Sequence, residues 1–89
     1  MAKVLLPLVL QRLAENKEEV DVVGSNIYEL LENLEHNFPG TKKLIAPTDK
    51  IQDFVNIYIN GNDIRLLDNE NSLINETDNV NIVLAVSGG

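Results

Sequence analysis

The chain has 89 residues, 44% of them hydrophobic and 24% charged, with a formal net charge of −7 and no cysteine. That is enough for one small domain, residues 1–89, with a modest core. It leaves out disulfide staples, thiolate metal sites and a thiol nucleophile, and so acidic a surface repels phosphate backbones and anionic membranes alike. A basic protein surface is the natural partner, because opposite fields speed encounter. The same charge also keeps an acidic domain soluble.

Met1-Ala2-Lys3 leads into an apolar stretch, residues 4–10. The stretch is short, follows one positive charge and lacks a small-residue cleavage site, so it does not read as a signal peptide. No apolar run approaches membrane-spanning length. A cytoplasmic protein is expected, and the sequon-like Asn75-Glu76-Thr77 is then a chance match.

Residues 4–10 predict a first strand. Pro7 cannot donate to a ladder and should sit at an edge or bulge. Residues 11–19 are polar and predict a loop. Val20-Asp21-Val22-Val23 alternates and predicts a second strand. Asn26 suits an N-cap, with Glu29 three residues on as in a capping box. Ile27, Leu30, Leu31, Leu34 and Phe38 then recur at helical spacing, and Pro39-Gly40 stops the helix.

In residues 41–53, Leu44 and Ile45 are expected to tuck under the domain, and Pro47-Thr48-Asp49 to turn the chain. Phe54-Val55-Asn56-Ile57-Tyr58-Ile59 alternates as a strand. Asn60-Gly61 predicts a hairpin with positive φ at both central residues, and residues 63–65 return as a short strand. Residues 66–78 predict a loop with one helical turn near 72–74. Residues 80–86 form the last strand. One amphipathic helix on one face of a small sheet gives a two-layer α+β domain.

Little here suits a catalyst. No Ser, His and Asp grouping forms a triad, and no glycine-rich loop cradles phosphate. His36 near the helix end suits the dipole. Glu15, Glu18, Glu19 and Asp21 match no cation-loop spacing.

The end of the sequence is different. A Gly-Gly end arises by chance in roughly one chain in two hundred. Here Gly88-Gly89 follows a predicted strand, so the carboxylate would project on a flexible stalk without side chains. Such a backbone fits a slot too narrow for any side chain. Composition does not separate this reading from a frayed terminus or an expression scar. A carboxylate is a poor electrophile, but ATP can activate it as an acyl-adenylate. A sulfur nucleophile can then displace the adenylate and leave a thiocarboxylate, with no nucleophile needed in the carrier.

The segment Phe54-Val55-Asn56-Ile57-Tyr58-Ile59-Asn60-Gly61-Asn62-Asp63-Ile64-Arg65, with Asp78-Asn79-Val80 and Leu84-Ala85-Val86-Ser87-Gly88-Gly89, resembles the MoaD/ThiS family of ubiquitin-like sulfur carriers. The similarity is strongest to the branch that delivers sulfide to a cysteine synthase. Leu34-Glu35-His36-Asn37-Phe38-Pro39-Gly40 fits the family's helix end. The chain departs from that pattern where Leu84 replaces a proline, Ser87 an alanine, Thr77 a glycine, and Ala14-Glu15-Asn16 a glycine pair.

The resemblance implies a β-grasp fold with a small mixed sheet, first and last strands parallel at its centre. It implies no bound cofactor and no metal. Gly89 would be adenylated by a partner enzyme that uses ATP and a sulfur donor, while Ala85, Val86, Ser87 and Gly88 enter that partner. The sulfur would pass to a cysteine synthase, a thiazole synthase or the molybdopterin-synthase large subunit. No tail trimming is expected. The alternatives are a modifier joined to lysines through Gly89, or a small subunit of a molybdopterin-synthase-type complex.

Strand parity adds a docking face. Val80, Ile82, Val55, Ile57 and Ile59 would face the helix. Leu5, Phe54, Tyr58 and Val83 would then form an exposed apolar patch for a partner, unless a crossing loop covers it.

Overall fold

Alternating apolar and polar residues give this chain strands with one buried face, and a periodic helix covers that face. The computed structural model describes residues 1–85. In chain order the elements are β1 (Ala2–Leu5), α1 (Leu8–Gln11), β2 (Glu19–Val22), α2 (Ile27–Asn37), α3 (Thr41–Ile45), β3 (Val55–Ile59), β4 (Asn62–Asp63) and β5 (Asn79–Leu84). Two 3-10 turns, Ile64–Leu66 and Asn69–Asn71, lie between β4 and β5.

The strands form one five-stranded sheet in the order β2-β1-β5-β3-β4. β1 pairs with β5 in parallel, Val4 opposite Val80, and the other neighbours are antiparallel. This is the expected β-grasp arrangement. The core lies between the sheet's inner face and α2. Val4, Val22, Val55, Ile57, Val80 and Ile82 come from the strands, and Ile27, Leu30 and Leu34 from the helix.

The N-terminus of α2 is held as its sequence suggests, with one shift. The Asn26 side chain accepts from the Glu29 N–H at 2.8 Å. The Glu29 carboxylate reaches back to the N–H of Ser25, at 3.2 Å, rather than to that of Asn26. The Asn60-Gly61 turn has φ of 50° and 87°, the two positive values its hairpin needs.

Several segments depart from expectation. The strand expected over residues 4–10 ends at Leu5. Pro7, extended at φ −69° and ψ 160°, caps α1 instead, and Leu10 from that turn is fully buried. Burial of Leu10 outweighs the strand propensity of a Val/Leu run. In the loop that follows, Glu15 and Asn16 sit at φ of 57° and 63°. The left-handed turn that a glycine pair would relax is therefore kept by residues that carry a Cβ.

Leu44 does not tuck under the domain but stays partly exposed, because α3 turns Thr41 and Ile45 inward. β4 stops at Asp63, whose side chain accepts from the Arg65 N–H at 2.9 Å and starts a 3-10 turn. The helical turn near residues 72–74 is instead at Asn69–Asn71. Residues 72–74 run beside the start of α2, with Ile27 N–H donating to Ser72 O at 3.1 Å and Ile74 N–H to Ser25 O at 3.0 Å. β5 ends at Leu84, and Val86, placed in that strand from sequence, lies outside the described residues.

β2 meets α2 at Gly24. A Cβ there would lie 2.8 Å from both the backbone N and Cα of Leu30. Neither atom can move without shifting the helix. Gly24→Ala is therefore expected to lower stability by about 1–3 kcal/mol, the usual range for overpacking, as read by urea unfolding. An unchanged midpoint would show that strand and helix can separate here without cost.

Candidate functional site

Parity leaves one set of strand side chains on the sheet's outer face. Lys3 and Leu5 come from β1, Asn79, Asn81 and Val83 from β5, and Asn56 and Tyr58 from β3. Asn81 lies opposite Leu5 on one side and opposite Tyr58 on the other, and Val83 lies opposite Asn56. Leu5 is 40% exposed, Val83 37% and Phe54 44%, with Tyr58 half-buried. The four residues proposed for docking therefore share this face, and among the described residues no crossing loop covers them.

The face has a neutral centre. Its polar residues there are asparagines, while exposed Glu19 and Asp21 mark the β2 edge and Asp63 the β4 edge. Lys3 is 3.8 Å from Glu19 and is the one cation in these strands. Apolar side chains ringed by acids suit a partner with an apolar knob and a basic rim.

Two further features were not read from the sequence. A shallow concavity on the outer face is lined by Leu5, Tyr58, Asn60, Gly61, Asn79 and Asn81. A second, largely apolar groove runs between Leu84 and the α1 region, along Pro7, Leu8, Val9 and Arg12. Reading residues 4–10 as one strand hid this groove. The alternation that places the first set was available, but the turn at Pro7 was not.

The last described residues lie at the same end of the sheet. Val55 is opposite Leu84, and the Ala85 N–H donates to Phe54 O at 2.6 Å. β1 pairs with β5 only over residues 79–81, so Ala85 leaves the sheet with the β3 side, at Phe54, as its neighbour. Val86, Ser87, Gly88 and Gly89, the expected tail and sulfur-carrying end, lie outside the described residues. His36 lies in the last turn of α2, in the helix layer. Among the described residues no group of His, Cys, Asp and Glu could hold a metal, and no helix is long and apolar enough to cross a membrane.

The ThiS family model matches residues 4–89. The chain belongs to the ThiS family. The sulfur carrier protein CysO of Mycobacterium tuberculosis (strain ATCC 25618 / H37Rv) is 32% identical over 89 residues, covering 97% of this chain and 96% of that protein. A chain of the crystallised Amycolatopsis orientalis BexX/CysO complex superposes with a TM-score of 0.94 at 25% identity, covering 100% of both chains. The small archaeal modifier protein 1 (SAMP1) of Methanosarcina acetivorans superposes at 0.83 with 29% identity, over 99% of this chain and 95% of its own. This ThiS-family chain thus has the ubiquitin-like β-grasp fold, shared by a carrier and a modifier.

The far end of the outer face is held by a carboxylate. Asp78 accepts from the Asn75 N–H at 2.8 Å and from the Asn60 side-chain amide at 2.9 Å. The Asn60 side-chain oxygen in turn accepts from the Asn79 N–H at 2.9 Å. The bond from the Asn75 backbone N–H, then that from the Asn60 side-chain amide, holds the Asp78 carboxyl below its ordinary value of 3.8. A depressed folded value stabilises above the unfolded value, and that stability is lost as pH falls through the folded one. Urea unfolding from about pH 5 down to about pH 2 should therefore show less loss for Asp78→Asn than for the parent chain. Equal losses would mean that Asp78 contributes nothing to acid sensitivity.

Proposed function

We propose that this chain is a sulfur carrier that works through its Gly89 carboxylate. The observation that carries the reading is near full-length identity of 32% to a protein named as a sulfur carrier. Gly88 and Gly89 bear no side chains, and in the sequence they follow β5, which is paired with β3 along residues 80–84.

In the proposed chemistry, a Gly89 carboxylate oxygen attacks the α-phosphorus of ATP and pyrophosphate leaves. Sulfide released by the donor then attacks the acyl carbon, AMP leaves, and a thiocarboxylate remains. Beyond the Gly89 carboxylate the carrier supplies no acid, base or nucleophile. It is a protein co-substrate rather than an enzyme, and the partner holds the ATP and the sulfur donor. The acceptor favoured here is a cysteine synthase, with thiazole synthase and the molybdopterin-synthase large subunit after it. Such chemistry suits the cytoplasm.

The outer face is the proposed docking surface. Leu5, Phe54, Tyr58 and Val83 would be buried by the activating enzyme, while Ala85, Val86 and Ser87 enter its channel. The acidic edges favour a basic rim on that enzyme. A second reading, a modifier joined to lysines through Gly89, draws support from the likeness to SAMP1. High-mass lysine-linked conjugates in cell extracts would favour it over sulfur transfer.

Intact mass decides between carrier and non-carrier. After incubation with the host's adenylating enzyme, ATP and a sulfur donor, the mass should rise by the exchange of one oxygen for sulfur. Deleting Gly89 should abolish the gain, and a chain that never gains sulfur would end the carrier reading. For docking, Val83→Asp should raise the KM for activation about tenfold, as loss of one well-buried interface side chain does. The circular dichroism spectrum should stay unchanged, because Val83 faces away from the core. A folded Val83→Asp chain activated at the parent rate would remove the outer face from the docking site.

A further inference from the structure

The outer edge of β3 is only partly covered by a strand. β4 pairs with it at Tyr58 and Ile59, opposite Asp63 and Asn62, and then the chain turns away. Beyond that point a side chain does what a strand would do. The Arg65 guanidinium Nη2 donates to the carbonyls of Asp53 and Val55, at 3.3 and 3.2 Å. Asp63 steadies it, accepting from the Arg65 N–H at 2.9 Å and standing 3.6 Å from Nη1. Ile64, between the two, is anchored in the core.

Carbonyls along a strand point alternately to its two edges. Those of Asp53 and Val55 face Arg65. The one between them, of Phe54, faces β5 and accepts from Ala85 N–H. Arg65 thus holds both neighbours of the carbonyl on which Ala85 rests. Four residues, 86–89, follow Ala85 in the sequence, a reach of up to about 14 Å. The point where Ala85 leaves the sheet sets the region within that reach.

We propose that Arg65 is a positioning residue for the tail, clipping the free edge of β3 so that Phe54 fixes where Ala85 leaves the sheet. The clip stands on these hydrogen bonds alone, whereas its effect on delivery of Gly89 rests on the carrier reading above. Arg65→Met keeps an apolar stem and removes every donor. Arg65→Lys keeps a charge and donors without the planar fork.

Amide hydrogen exchange by NMR, at Ala85 relative to Val80 and Ile82, tests the clip. Arg65→Met should speed exchange at Ala85 about tenfold while Val80 and Ile82 keep their rates, and Arg65→Lys should fall between. In the adenylation assay Arg65→Met should raise KM several-fold with kcat unchanged, because Arg65 takes no part in the chemistry proposed for the carboxylate. Parent-like exchange at Ala85, or equal acceleration at all three amides, would overturn the proposal; the second result would make Arg65 merely structural. If the parent chain is never adenylated, the carrier reading falls while the exchange data still decide the clip.

Discussion

The parallel pairing of β1 with β5 is the constraint on which the rest depends. Parallel neighbours cannot be joined by a tight turn, so nearly the whole chain serves as the crossover between them. Val4 and Val80 face each other in this pair, both without solvent exposure. Burial of each such side chain contributes about 1.5–3 kcal/mol. β1 flanks only the start of β5, over residues 79–81, whereas residues 82–84 have β3 as their strand neighbour. Where the chain leaves the sheet at Ala85 is therefore set from the β3 side, through Phe54.

The sheet divides its labour by face. Inward residues are mostly Val and Ile, with Ala2 on β1, closed by Ile27, Leu30 and Leu34 of α2. Outward residues mix a few apolar side chains with asparagines, and the acids stand at the edges. An asparagine can be covered without the desolvation cost of a charge. Acids at the rim stay hydrated and act at a distance, and in the proposed docking they would speed encounter with a basic partner.

The hairpin and its return strand tie these parts together. Asn60 links the turn to Asp78 and Asn79 at the start of β5. Arg65, just past the short β4, grips the start of β3. The conspicuous segment from Phe54 to Arg65 thus works from both ends of the sheet. Its Asn60 end secures the entry to β5, and its Arg65 end supports the exit.

Much of this was legible in the linear chain because it depends on neighbours close in sequence. The Asn26 cap, the apolar period of α2, the alternation in β3 and the Asn60-Gly61 turn are all local. Parity also placed Leu5, Tyr58 and Val83 together on one face, because side chains alternate in any strand. What the chain could not reveal by itself depends on contacts between distant segments. The turn after Leu5 follows from burial of Leu10. The path of residues 72–74 follows from bonds to Ser25 and Ile27 at the start of α2. The parallel register of β1 and β5, the groove beside Leu84 and the grip of Arg65 each join residues many positions apart. Sequence alone therefore determined which elements form and which faces are apolar. Only tertiary structure decided their pairing and where the tail emerges, because long-range burial and hydrogen bonding override local propensity when the two compete.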